Sequence, residues 1–225
     1  MQDTKTPRAF VWTKFGTEAG ERVPSIIGRK ETERRSNGGL FLWGVGNNVG
    51  TSIKLLEKFG TPEVLFSPIA SAPRACDVSP SKVVAWTAAE TLEGVPFEIP
   101  IGSMVTSRAG TLRKCHFALV CYSDSELRLT DSAGKICSSA LRNLASGKHV
   151  GSSQVTSVVK NSPQGEIGRV YPIAMRIKLR TPYFIRLCDP VPIEAYRRLG
   201  PSKVEAAHSR PNAGGFSKPI IKAVA

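Results

Sequence analysis

Residues 39–52 read GLFLWGVGNNVGTS, a run of apolar residues that leads into a glycine-rich loop. The apolar run at residues 40–43 predicts a strand, and Thr51 or Ser52 can cap a short helix that ends before Gly60. We expect that helix to turn Ile53, Leu56 and Phe59 toward the core. Because glycines let backbone N–H groups approach an anion, the segment also resembles a loop that binds phosphate.

The spacing of the glycines and the segments that follow argue against a nucleotide-binding fold. The spacing G-x-G-x-x-x-G is one residue longer than the dinucleotide fingerprint, and Gly50 is followed by Thr51 without the lysine of a P-loop. A doubly wound fold needs alternating strands and helices, whereas strand-like segments follow one another from residue 82. They cover residues 82–88, 97–108, 114–123 and 126–130. The sequence therefore predicts an α+β fold with a curled, mainly antiparallel sheet or a β-barrel, flanked by two or three helices.

Other segments complete the predicted organisation. Residues 8–15 alternate as a first strand, and a helix is expected from Val23 to Arg35, with Glu31 and Arg35 as an i,i+4 ion pair. Further expected elements are a strand at 63–66, a helix at 138–145, a flexible loop at 151–168 and a strand at 171–187. We assign residues 1–7 to a disordered N-terminus, 8–199 to a single α+β domain, and 200–225 to a flexible basic tail.

The net charge is the strongest global signal in the sequence. The 225 residues include 31 Lys and Arg against 18 Asp and Glu, which gives a formal net charge of +13. Such a surplus attracts polyanions, and counterion release drives binding to nucleic acid, although a basic surplus can also be incidental. No run approaches the roughly 20 apolar residues of a membrane span, and the first eight residues lack the apolar core of a signal peptide. We therefore expect a cytoplasmic protein with RNA or DNA as its partner and no membrane association.

Cysteine, histidine and nucleophile motifs indicate neither a metal site nor a catalytic centre. The five cysteines are an odd number with no C-x-x-C spacing, and the three histidines lie far apart. No G-x-S-x-G motif occurs, and acidic residues near 124–131 are typical of a solvated turn. The sequence thus favours a binding protein over an enzyme, and we assign no catalytic residue, metal or cofactor.

Candidate contacts to nucleic acid come from the glycine-rich loop and from two basic segments. Trp43 ends a strand beside Asn47 and Asn48, so a ring and two amides could stack on a base and hydrogen-bond its edge. The alternative is that Trp43, like Trp12 and Trp86, is a core residue. The expected phosphate contacts are Arg29, Lys30, Arg34 and Arg35 on the predicted helix and Arg176, Lys178 and Arg180 on the last predicted strand.

The order of strand, long helix, apolar strand, short helix and consecutive strands resembles the PUA-like superfamily over residues 8–195. The EVE, YTH and ASCH branches of that superfamily bind RNA or modified bases in a pocket between a barrel and its helices. The resemblance implies a nucleic-acid-binding protein that reads an unpaired, flipped or modified base in a pocket beside the glycine-rich loop. Two alternatives stay open: a structural or assembly component of a nucleoprotein complex, and a nucleotide-binding enzyme.

Overall fold

The computed structural model describes residues 8–15, 23–69, 83–106, 116–130, 133–151, 155–162, 168–188 and 190–192. Within these residues the fold is a large mixed sheet of nine strands with two smaller sheets of two and three strands. The segments predicted to be a disordered N-terminus and a flexible tail, 1–7 and 200–225, lie outside the described residues.

The secondary structure begins with a strand and a helix and continues mainly as strands. In chain order the elements are β1 (Ala9–Phe15), α1 (Val23–Ser36), β2 (Leu40–Val45), α2 (Gly50–Ile53), β3 (Glu63–Pro68), β4 (Val83–Trp86), β5 (Ala89–Thr91), β6 (Pro96–Phe97), β7 (Met104–Thr106), β8 (His116–Tyr122), β9 (Lys135–Cys137), β10 (Leu141–Asn143), β11 (Thr156–Asn161), β12 (Val170–Pro172), β13 (Met175–Leu187) and β14 (Pro190–Pro192). Within the described ranges, 3-10 helices cover Asn47–Val49, Lys54–Phe59 and Ser138–Ala140.

The long strand β13 joins the two halves of the large sheet. On one side it pairs antiparallel with β3 and then with β5, and on the other side it pairs with β8, which pairs with β2. Beyond β3 the sheet continues through β1 and β11 to β10, and β1 with β3 is the one parallel pair among the described strands. The α+β fold with a large sheet is thus confirmed. The predicted β-barrel is not: the described outer strands β2, β6 and β10 do not pair with one another.

The large sheet has an apolar core on each face. On the face that we call the helix face, Ile27 of α1 and Ile53 of α2 pack with sheet residues such as Val64. The opposite face is covered at one end by β4 and β7, where Trp86 is buried, and at the other end by β9 and β12, where Tyr171 is buried. Successive residues of a strand therefore alternate between the core of the helix face and the core of the opposite face.

Pro24 lies in the first turn of α1, where the missing N–H is not needed.

The turn between α1 and β2 depends on two glycines. After Ser36 the chain reverses through Gly38 and Gly39, whose φ angles are 57° and 97°. A Cβ on Gly39 would also lie 2.8 Å from the Tyr122 ring, so both conformation and space require glycine there.

Several of the predicted elements are confirmed and others are wrong. The strands at residues 8–15, 40–43 and 63–66 and the helix from Val23 are present. The predicted helix at 138–145 is a 3-10 turn followed by β10, because Leu141 is fully buried and its backbone pairs with β11. The predicted loop at 151–168 contains β11, whose Val158 and Val159 are buried on opposite faces.

Two further predictions differ in detail from the structure. The segment 97–108 is not one strand: β6 ends at Phe97 and β7 begins at Met104. No strand forms at 126–130, where the backbone N–H of Leu127 instead donates to a side chain of α1. Phe59 is not a core residue, since 48% of its surface is exposed, whereas Ile53 and Leu56 are buried as expected.

Candidate nucleic-acid interface

The glycines of the loop are explained by close packing against the sheet. A Cβ on Gly50 would lie 2.7 Å from the ring of Phe184, and a Cβ on Gly44 would lie 3.2 Å from Val105 Cβ. Both glycines therefore allow backbone to approach side chains more closely than other residues permit. Since α2 has four residues, it provides only a short stack of peptide dipoles for an anion.

Trp43 lies in the core of the helix face. Only 7% of its surface is exposed, and its ring centre lies 4.6 Å from that of Phe66 and 5.5 Å from that of Phe15, both in edge-to-face geometry. A buried ring cannot stack on a nucleic-acid base without opening the core. The structure therefore supports the alternative interpretation of Trp43, and the same holds for the buried Trp12 and Trp86.

The two asparagines of the loop are exposed, but they differ in their contacts. Asn48 Nδ2 donates a hydrogen bond to the carbonyl oxygen of Thr156 at 2.9 Å, which fastens the loop to β11. Asn47 has no side-chain hydrogen bond to another described residue and remains on the surface. Without the ring of Trp43 beside them, the two amides do not form the predicted base pocket.

Lys30 of the predicted basic helix face is buried. Its ammonium group donates to Glu33 Oε2 at 2.8 Å and to the carbonyl oxygen of Met104, and 2% of the residue is exposed. Burial lowers the pKa of Lys30, and the Glu33 carboxylate opposes that shift. The prediction that Lys30 contacts phosphate is therefore wrong, because the group is already enclosed by protein.

Glu33 holds α1 against the free edge of β2. Its Oε1 accepts the backbone N–H of Leu42 at 2.7 Å, on the side of β2 that does not pair with β8. Its other oxygen accepts from Lys30 and from the backbone N–H of Met104. The buried ion pair thus satisfies an edge that would otherwise present an unpaired donor.

The arginines of α1 are also engaged within the protein. Glu31 accepts two hydrogen bonds from Arg34, at 2.8 and 2.9 Å, and one each from Arg35 and the backbone of Leu127. The Arg34 hydrogen bonds, with these other donors, lower the pKa of Glu31 to about 2. Arg29 donates to the carbonyl oxygen of Met104 at 2.8 Å. Of this group Arg35 is well exposed, with 64% of its side chain accessible, whereas the Arg34 side chain is 13% accessible.

The basic residues of β13 are on the surface, as predicted. Arg176, Lys178 and Arg180 are exposed and alternate with buried Ile177 and Leu179, so they lie on the face away from α1 and α2. In the antiparallel ladder Lys178 stands directly opposite Tyr122 of β8. We call Arg176, Lys178, Arg180 and Tyr122 the β13 strip.

The cations of the β13 strip differ in their partners. Arg176 forms a bidentate ion pair with Glu63, at 2.5 and 2.9 Å. Lys178 forms no ion pair with the residues that the structure describes. The Arg180 guanidinium lies 4.8 Å from the centre of the Tyr122 ring, a cation–π contact. Two of the three cations therefore keep charge available for an external anion.

The β13 strip belongs to a basic part of the chain. Residues 133–188 contain a single acidic residue, Glu166. The basic residues of this range are Lys135, Arg142, Lys148, Lys160, Arg169, Arg176, Lys178, Arg180 and Arg186. Arg142 and Lys160 stand opposite each other in the pairing of β10 with β11, and the Arg142 guanidinium donates to the carbonyl oxygens of Ser139 and Leu141.

Sequence reasoning missed Tyr122 because it considered only tryptophans as stacking surfaces. Tyr122 ends a strand that was predicted at 114–123, but its position beside Lys178 depends on the register between β8 and β13. That register is a long-range property that no local pattern reveals. The one local signal was a tyrosine at the end of an apolar strand, followed by polar residues.

Comparisons with known proteins give no identification. The chain matches no protein-family model, and neither the curated proteins nor the solved structures contain a significant match. Among the described helices, none has the length and apolar character to cross a membrane. In the part of the chain that the structure describes, no three His, Cys, Asp or Glu side chains group as metal ligands.

Proposed function

We propose that this protein binds nucleic acid, RNA or DNA, along the β13 strip. The observation that carries the proposal is an exposed row of cations beside an aromatic ring, in which neither Lys178 nor Arg180 forms an ion pair with a described residue; Glu63, opposite Lys178 in the sheet, is paired with Arg176. Residues two apart on a strand are about 6.6 Å apart, so the row can follow a sugar–phosphate backbone over several positions.

Tyr122 gives this row a means to hold an unpaired base. Its ring packs against Gly39, its hydroxyl donates a hydrogen bond to Asp124, and the Arg180 guanidinium lies beside the ring. A base would stack on this guanidinium or take its place on the ring. Aromatic rings beside cations are the usual stacking surfaces of single-stranded nucleic acid, and they tolerate any base. The proposal therefore favours single strands over duplexes.

The PUA-like resemblance predicts a different binding surface from the β13 strip. That resemblance puts the ligand in a pocket between a barrel and its helices, whereas the β13 strip lies on the face away from α1 and α2. The proposal retains the ligand class and changes the surface. It does not depend on the PUA-like arrangement.

The test is fluorescence anisotropy with labelled oligouridine, oligothymidine and a DNA duplex over a range of salt concentrations. The double variant Lys178→Glu/Arg180→Glu should bind single strands about tenfold or more weakly, with a log-log salt slope reduced by about 2. The matched control is Lys54→Glu/Lys58→Glu, which changes the net charge equally on the helix face. Equal losses in both double variants, or none in either, would overturn the proposal.

A further inference from the structure

A cleft on the helix face is formed by three separate elements. The 3-10 helix Lys54–Phe59 forms one wall and the turn after β5 forms another. An irregular part of β13, residues 181–184, forms the floor. The cleft has a volume of about 320 Å³, within the range that holds a small molecule.

The floor of the cleft has an unusual backbone. The pairing of β13 with β8 shifts register between Leu179 and Phe184. Within this bulge Tyr183 has a φ angle of 65°, and it is the one non-glycine residue with positive φ in the described chain. A positive φ angle is unfavourable for a residue with a side chain and persists only where the surrounding structure enforces it. Residues with such backbone conformations are concentrated at ligand sites.

The walls are positioned before any ligand arrives. The ring of Phe184 touches the backbone of Gly50 so closely that a Cβ there would lie 2.7 Å from it. This contact seats α2 and the 3-10 helix against the floor. Ile53 and Phe184 are buried, while Leu92 at the rim is 46% exposed. The accessible apolar surface of the cleft comes from Leu92 and from the partly buried Pro182 and Tyr183, which rest on this buried layer.

The rim carries more negative than positive charge. Glu57 and Glu93 line it together with Lys54, whose ammonium group forms an ion pair with Glu93 across the two walls. The side chains of this pair are 62% and 51% exposed, so the pair contributes little to stability. A ligand cation can thus replace Lys54 at Glu93 at small cost. The net charge of +13 repels cations in general, so any preference of this rim for a cation comes from its two carboxylates.

We infer that this cleft binds a small molecule with an apolar body and one ammonium or guanidinium group. The body would lie on Leu92, Pro182 and Tyr183, and the cation would lie between Glu57 and Glu93. The inference does not rest on nucleic-acid binding, because the β13 strip lies on the opposite face of the sheet.

The experiment uses three probes of similar size: 2-phenylethylamine, 2-phenylethanol and 3-phenylpropionate. Their binding to the full chain at low salt is measured by ligand-observed NMR titration at millimolar concentrations. The amine should bind at least about threefold more tightly than the alcohol, and the acid should bind least. If no probe binds, or if the acid binds as well as the amine, the inference is overturned.

Four variants locate the site. Glu57→Gln and Glu93→Gln should each weaken amine binding about three- to tenfold and leave alcohol binding unchanged. Lys54→Gln should strengthen amine binding, because it removes the competing ammonium group from Glu93. Leu92→Ser should weaken the amine and the alcohol alike.

The matched control is Glu98→Gln, an exposed glutamate that does not line the cleft. Equal effects of Glu93→Gln and Glu98→Gln would show that general charge, not the cleft, attracts the amine. Circular dichroism confirms folding of each variant. Oligonucleotide binding by Glu93→Gln should be unchanged, so failure of this inference is distinguishable from failure of the proposed nucleic-acid function.

Discussion

Helix α1 and strand β13 carry similar sets of basic residues and use them in opposite ways. On α1, Lys30 is bound to Glu33 and Arg34 to Glu31. On β13, Lys178 and Arg180 project from the sheet surface without an ion pair to a described residue. The first set stabilises the fold, and the second leaves charge for a partner.

The difference shows that net charge alone does not locate an interface. The basic residues of α1 have glutamates three or four positions away, within reach on the same helix, whereas β13 has only apolar residues between its cations. A helix that carries both acidic and basic residues can pair its charges internally. A strand with one sign must find its counterions elsewhere: Glu63 of β3 pairs with Arg176 although it stands opposite Lys178.

The largest effect that would test this comparison is expected from Glu33→Ala. The substitution leaves the buried ammonium of Lys30 without its carboxylate partner and the backbone N–H of Leu42 without its acceptor. We expect the free energy of unfolding to fall by about 3 to 5 kcal/mol, measured by chemical denaturation. Glu57→Ala, at an exposed glutamate, should change it by less than about 0.5 kcal/mol. Similar values for the two variants would contradict a structural role for the α1 charges.

The next effect concerns the pH dependence of stability. Because the folded-state pKa of Glu31 is lowered to about 2 from an ordinary value of 4.5, its stabilisation is present above about pH 4.5 and is lost as the pH falls toward 2. At neutral pH, Glu31→Gln should be less stable than the wild type by on the order of 2 kcal/mol. Denaturation between neutral and acidic pH should show this gap closing. A gap that stays constant would show that the contacts of Glu31 do not depend on its charge.

Alanine substitution of one basic residue in each region should give a smaller effect on stability. Arg34→Ala removes two hydrogen bonds to a mostly buried carboxylate, so we expect a loss of about 1 to 2 kcal/mol in the free energy of unfolding. Lys178→Ala should change it by less than about 0.5 kcal/mol. Thermal denaturation of both variants under the same conditions measures the contrast, which is refuted if Lys178→Ala is the more destabilising.

The smallest effects are expected at the two exposed asparagines of the glycine-rich loop. Asn48→Ala removes the hydrogen bond to Thr156 and should lower the free energy of unfolding by about 0.5 to 1.5 kcal/mol. Asn47→Ala should change it by less than about 0.5 kcal/mol. Neither should alter oligonucleotide affinity, since the β13 strip lies on the other face. A loss of affinity in either variant would bring the predicted loop pocket back into consideration.

Local patterns predicted much of the N-terminal half of the fold. The alternation in β1, the position of Pro24 in α1 and the apolar run of β2 each depend on neighbouring residues, and these elements were predicted correctly. In contrast, the short strand β10 has a helix-compatible sequence, and its pairing with β11 overrides that preference. Long-range pairing is not written in a local pattern.

The same reasoning applies to the candidate site. The alternation of cations and apolar residues in β13 is local, so Arg176, Lys178 and Arg180 were found on the surface as predicted. The burial of Trp43 depends on Phe15 and Phe66, which come from two other strands. A local sequence pattern does not distinguish a tryptophan that is exposed at the end of a strand from one that is covered by side chains of two other strands.

The place of β13 in the chain sets the time at which the sheet can be completed during synthesis. In the sheet, β3 and β8 are joined only through residues 175–187 of β13. At about 5 to 20 residues per second, a ribosome needs roughly 6 to 24 s to pass from the end of β3 at Pro68 to the end of β13 at Leu187. Until then β3 and β8 each lack a neighbour, and unpaired strand edges associate readily with other chains. The nascent chain therefore carries these two unpaired edges until its central strand emerges.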